Sequence, residues 1–160
     1  MSSTQQLAKH FRDVHFGGNW TCVNLEDTLD GVTWQQATAK VHDCNTIAVL
    51  VFHINYYVVA QIKVLQGGSL DAHDKYSFDC PPILSQADWD NMLSKVLTDA
   101  KTLAALVEQL PESKLWEPFV EEKYGTYYRN ILGVIEHTHY HLGQISLLKK
   151  ITSTTNDHSA

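Results

Sequence analysis

An all-α chain folded as a four-helix bundle is what this sequence predicts, and three features carry the prediction. Four long segments repeat apolar residues at three- and four-residue steps, the stripe of a helix with one buried face. No segment of strand length alternates apolar and polar residues with period two. Glycine and proline stand between the periodic segments, at Gly31, Gly67-Gly68, Pro81-Pro82 and Pro111. The chain's 160 residues suffice for one domain with a proper core. That domain is assigned to 1–151, with 152–160 as a polar, frayed tail.

The first helix is predicted from Gln5 to Leu29 on the stripe Leu7, Phe11, Val14, Gly18, Cys22, Leu25 and Leu29. Gly17-Gly18 costs it stability relative to alanine, so the helix bends there or another backbone packs close. Gly31 is its stop. The connector Gly31 to Cys44 holds a short helical turn begun by Thr33, with Gln36 at capping-box spacing. The second helix runs from Asn45, its N-cap, to Gln66, where Gly67-Gly68 stops it. Being apolar nearly all round, it is expected to be the most buried element. Ser69 to Pro82 is a polar loop dotted with aromatics. Ser85 and Asp88 resemble a capping box that opens the third helix, which Pro111 ends. After the irregular stretch Glu112 to Gly125, the fourth helix runs from Thr126 to Ile151. The connections after helices 2 and 3 exceed what a minimal bundle needs, and can wall off a site.

Composition narrows the function classes. The formal charge of -6 provides no basic face for phosphates, so nucleic acid is not an expected partner. No stretch reaches the roughly 18 uninterrupted apolar residues of a membrane span; the nearest, Ile47 to Ile62, contains His53, Asn55 and Gln61. The first residues lack the basic-then-apolar order of a signal peptide. Three cysteines, an odd count with no C-x-x-C pair, are read as free thiols in a reducing cytoplasm, Cys22 as a small buried hydrophobe.

The chemistry concentrates in Glu136-His137-Thr138-His139-Tyr140-His141-Leu142-Gly143-Gln144-Ile145. His137 and His141, four residues apart, stack on one helix face and can grip one metal ion. With His137 at zero, His141 falls at about 40°, inside the apolar arc, and Gln144 and Asn130 lie about 20° to either side of His137. His139 lies about 200° round, and Glu136 on the outward side. On the second helix, His53 shares the stripe Val49, Leu50, Tyr57, Ala60 and Val64, so it faces the core. A single core histidine is usually satisfied by one hydrogen bond; three such positions in one small bundle point to a divalent metal. Tyr57 is the candidate hydroxyl near the metal, Gln144 and Asn130 candidate orienting groups, and His15 a residue within plausible reach of the cavity.

The His-x-x-x-His-x-Gly-Gln-Ile run at His137 to Ile145, with Leu147-Leu148-Lys149-Lys150 after it, resembles the last helix of the DinB-like (damage-inducible) family. The context of His53 is similar to that family's histidine-bearing second helix, and the helix order covers almost the entire chain. The resemblance implies a DinB-like bundle with a metal held by His53, His137 and His141. It further implies frequent homodimers and, in some relatives, transfer of a low-molecular-weight thiol or hydrolysis. It does not imply DNA binding.

Rival constellations fail on spacing. A di-iron carboxylate bundle needs two Glu-x-x-His motifs, and only Glu136 to His139 has that spacing; the zincin motif fails because Thr138 follows His137. Zinc, nickel, manganese or iron remain open as the ion. With no clear general base, since Glu136 lies on the outward side, thiol transfer to a small electrophile is favoured over hydrolysis. The alternatives are a metal-dependent hydrolase and a non-catalytic metal-binding or structural dimer.

Overall fold

The computed structural model describes residues 1–156. Within them are six α-helices: α1 (Ser3–Phe16), α2 (Leu25–Leu29), α3 (Trp34–Thr38), α4 (Ile47–Leu65), α5 (Gln86–Gln109) and α6 (Tyr127–Asn156). Among the described residues there is no β-strand, only an isolated antiparallel bridge between Pro118 and Thr126. The all-α expectation is met. The four long helices pack as a ring in which α1 and α4 each touch both α5 and α6.

Caps set the helix boundaries. Ser2 opens α1 in a full capping box with Gln5. The Thr33–Gln36 capping box forms as its spacing predicted, and starts α3. Thr46, not Asn45, caps α4: its side chain accepts from the Val49 amide at 3.3 Å. Ser85 caps α5, and Asp88 closes a variant box by accepting from the Ser85 hydroxyl and the Leu84 amide. α6 runs on to Asn156; Thr152, assigned to the tail, is buried there and donates to the Leu148 carbonyl. Residues 157–160 of that tail lie outside the described residues.

The predicted long first helix is a correction. α1 stops at Phe16 because Gly17 and Gly18 take φ of 102° and 98°, a region side chains strongly disfavour. Buried Asn19 then clips the turn, donating to the carbonyls of Asp13 and Val23. Asn24 caps α2, so Leu25 and Leu29 return to the core on a separate short helix. Cys22, expected inside, is exposed with φ of 55°, and Trp20 beside it is 97% exposed.

Two apolar clusters fill the interior. One gathers Val14, Leu25, Ile47, Ile54, Trp89, Leu142 and Ile145; the other gathers Phe11, Val58, Leu103, Leu115, Ile131 and Ile135. Each fully buried side chain of this size contributes about 1.5–3 kcal/mol. Trp89 is completely enclosed, with its indole N–H satisfied by the Val32 carbonyl at 2.8 Å. Along α4 the clusters change over between Ile54 and Val58, and along α6 between Ile135 and Leu142. His137 and His141 sit at that seam on α6, and His53 stands immediately before it on α4. α4 is long and apolar enough to cross a bilayer, with mean hydropathy 1.6, yet 56% of that stretch is buried inside the protein.

Candidate metal centre

α4 delivers His53, and α6 delivers His137 and His141, to one point. His137 Nε2 lies 3.0 Å from His53 Nε2 and 3.1 Å from His141 Nε2. Among the described residues this is the one group of three or more potential ligands gathered tightly enough for a metal ion. His53 and His141 are buried, and His137 is half-buried.

The outer nitrogens fix what the inner ones can do. His53 Nδ1 stands 3.3 Å from the Ser77 carbonyl, which only accepts, so Nδ1 carries the proton and Nε2 presents a lone pair. His141 Nδ1 donates to Gln144 Oε1 at 2.7 Å, which leaves its Nε2 bare too. His137 Nε2 faces both. One N–H there can serve only one of two facing lone pairs, so three neutral imidazoles cannot all be satisfied by one another. A shared cation takes the three Nε2 lone pairs at once, while His137 Nδ1 stays buried without a partner. The two spacings from His137 are near what an ion needs, and all three ligand nitrogens lie within 4.8 Å of one another; nitrogens around a tetrahedral zinc lie about 3.3 Å apart. Adjacent nitrogens around a six-coordinate ion lie about 3.0 Å apart.

Electrostatics favour the neutral form that a ligand needs at His53 and His137. Burial, with the neighbouring His141 and His53 adding to it, lowers the His137 pKa to about 4. Burial likewise lowers that of His53, with His141 adding to it. Aromatic rings brace the group. Phe78 stacks on His53 at 3.9 Å between centroids, and Tyr57 stands edge-on to His53 and His137 at 5.3 and 5.0 Å. The Tyr57 hydroxyl donates to Asp74, and burial, then that bond, push its phenol pKa up.

The loop after α4 supplies Ser77, Phe78 and Asp74 to this surround, so one of the two long connections does wall the site. Their residue types carried no signal in the sequence; the only hint was a long aromatic-dotted loop following a histidine-bearing helix. A cavity of about 480 Å³ opens beside the centre, walled by His137, Tyr57, Asp74, Arg129, Gly133 and Glu136 among others. Glu136, read from helix phase as facing away, lines this cavity together with His137. That is a second correction.

The remaining candidates are placed as follows. Gln144 holds His141. Asn130 lines the cavity's far end, but its amide is spent on the carbonyls of Tyr124 and Thr126. His15 is fully buried elsewhere, its Nδ1 on the Phe11 carbonyl at 2.9 Å and its ring against Phe11 and Phe16. Cys22, Cys44 and Cys80 are free thiols.

No family model, no curated protein and no solved structure matches this chain.

Proposed function

We propose that this chain is a DinB-like, metal-dependent enzyme in which His53, His137 and His141 hold one divalent ion beside a small-molecule cavity. The observation that carries the reading is the convergence of three Nε2 atoms at 3.0 and 3.1 Å, with two outer nitrogens already engaged. A divalent ion held by neutral imidazoles retains its full charge, and supplies either a stabilised thiolate or a bound water of lowered pKa. Gln144 and the Ser77 carbonyl hold the ligand rings in orientation. The cavity of about 480 Å³ falls in the range of small-molecule sites and admits substrate on the His137 side.

Transfer of a low-molecular-weight thiol to a small electrophile is the reaction we place first, on the resemblance of the α6 motif. Hydrolysis is the second reading, and Glu136 favours it: a carboxylate on the cavity wall beside His137 can take a proton from a nucleophile bound there. The same reading carries a homodimer and a reducing, cytoplasmic setting for the free thiols. It takes a small molecule as the partner, not nucleic acid.

The deciding experiment is elemental analysis of tag-free protein beside a His137→Ala/His141→Ala variant. Near-stoichiometric zinc, nickel, manganese or iron in the parent, lost in the variant at unchanged helicity, supports the centre. No metal in the parent after incubation with each ion sinks it. A Gly133→Leu variant then separates enzyme from metal store: its added Cβ meets no atom within 4 Å, while its side chain fills the cavity wall. We expect full metal content and at least tenfold lower turnover in thiol-transfer and hydrolysis screens. Turnover equal to the parent's would remove the cavity from the mechanism.

A further inference from the structure

The cavity of about 480 Å³ beside the histidines has a cation at the end away from them. Along α6, Arg129, Gly133 and His137 follow one another at four-residue steps, one row on the helix flank, and all three line the cavity. Gly133 has no side chain, and an added Cβ would meet nothing within 4 Å, so the floor between the other two is open. Eight residues of helix set Arg129 and His137 about 12 Å apart along the axis. Leu70, Phe119 and Val134 contribute apolar wall.

Arg129 is held in place without a carboxylate. The chain's other arginine, Arg12, pairs with Glu108. Among the described residues no carboxylate lies within 4.0 Å of Arg129. Its Nη1 donates to the Tyr124 carbonyl at 3.1 Å, which leaves four of its five N–H donors for other partners. The side chain lies folded over Gly125, where an added Cβ would stand 2.9 Å from Arg129 Cδ, so glycine there gives it room. Arg129 is exposed, so a ligand in the cavity can reach it. A planar guanidinium binds a carboxylate through two parallel N–H···O bonds. Asp74 and Glu136 on the cavity wall repel a dianion more than a monoanion.

We infer that Arg129 determines the specificity of this cavity by anchoring a carboxylate of the substrate, about 12 Å along α6 from the end that reaches His137. The inference rests on the metal-dependent function proposed for the cavity, and narrows its substrate to an elongated small molecule. That molecule has a reacting end, an apolar middle and a carboxylate tail.

The test is isothermal titration of the full chain with three thiols. These are ω-mercaptooctanoate, which spans the row, ω-mercaptooctanol, of equal length without the charge, and β-mercaptopropionate, which is too short to span it. The parent should bind mercaptooctanoate about fivefold tighter than the alcohol, the size expected of an ion pair at an exposed site. Arg129→Gln should erase that preference at unchanged metal content and helicity. β-Mercaptopropionate should bind the parent and Arg129→Gln alike. In His137→Ala/His141→Ala both long thiols should bind more weakly, with the preference for the acid intact.

Equal affinity for acid and alcohol in the parent overturns the inference, as does a preference that survives Arg129→Gln. A preference lost only in His137→Ala/His141→Ala would put the carboxylate on the metal and overturn it too. An Arg129 dependence of β-mercaptopropionate as large as that of mercaptooctanoate would overturn the spacing. A metal-free parent whose acid preference still needs Arg129 sinks the metal reading and leaves the anchor, whereas a metal-loaded parent without the preference does the reverse.

Discussion

Helix α6 presents histidines on two sides, and the two neighbourhoods differ in a way that defines a metal centre. On one side His137 and His141 meet His53 of α4, with Nε2 atoms 3.0 and 3.1 Å apart. On the other side His139 meets α1, its ring 6.2 Å from that of His10 and electrostatically coupled to buried His15. Both neighbourhoods tie outer ring nitrogens to fixed acceptors: Ser77 and Gln144 on the first side, Phe11 and Ile135 carbonyls on the second. Both leave inner nitrogens bare, since His15 Nε2 and His139 Nε2 are buried without partners. Only the first brings three of them to one point. Three histidines in proximity are therefore not enough; convergence of lone pairs is what selects a cation.

The largest effect expected is on the first side. His137→Ala/His141→Ala removes two of three ligands, and metal content should fall from near one equivalent to background in elemental analysis. Retention of more than half would break the distinction between the two neighbourhoods. On the second side the expected effect is on stability. Burial lowers the His15 pKa from its ordinary 6.5 to about 4, against the pull of its bond to Phe11, and His139 adds to the lowering. The unfolded chain then binds a proton that the folded one refuses. Stability from this group is full above pH 6.5 and is lost as pH falls through about 4, a change of roughly 3 kcal/mol. Urea unfolding at pH 7.5 and pH 4.5 should show the drop, and His15→Leu should lessen it, leaving the part that His53 and His137 contribute. An equally steep profile in His15→Leu would assign the acid sensitivity elsewhere.

Helix periodicity carried most of this. The stripe through Val49, His53 and Tyr57, and the four-residue step from His137 to His141, place three histidines in the core without any coordinates. What periodicity cannot report is backbone dihedral or height along an axis. The stripe through Gly18, Cys22 and Leu25 continues in phase across Gly17, yet φ of 102° and 98° at two glycines breaks the helix. Asn130 shares the phase of His137 but sits seven residues away, about 10 Å along the axis, where it caps the chain entry to α6 instead. Glu136 is exposed by phase, and a cavity wall built by the loop after α4 and Phe119 makes that exposed side part of a pocket. Such walls depend on contacts distant in sequence.

A smaller effect sharpens the role of the outer nitrogens. Gln144→Ala removes the acceptor that orients His141, and metal affinity should weaken about tenfold, the lower end for loss of a supporting hydrogen bond. Competition with a chromophoric chelator measures it. An unchanged affinity would mean that the Gln144 bond does not hold the His141 ring for the ion.

The smallest expected effect is the most discriminating. His139 lies two residues from each α6 ligand, so a purely local reading of the His-x-His-x-His run would count it as a third ligand from the same helix. Helix geometry says otherwise: residues two apart point about 200° from one another, and His139 packs toward His10 instead. His139→Phe should therefore leave metal stoichiometry at the parent value and chelator-measured affinity within about twofold, since it touches no converging nitrogen. The apolar ring also removes a buried nitrogen that has no partner, so stability should hold or rise slightly. A tenfold loss of affinity in His139→Phe would couple the two sides of α6 and undo the distinction between them, whatever the double variant shows.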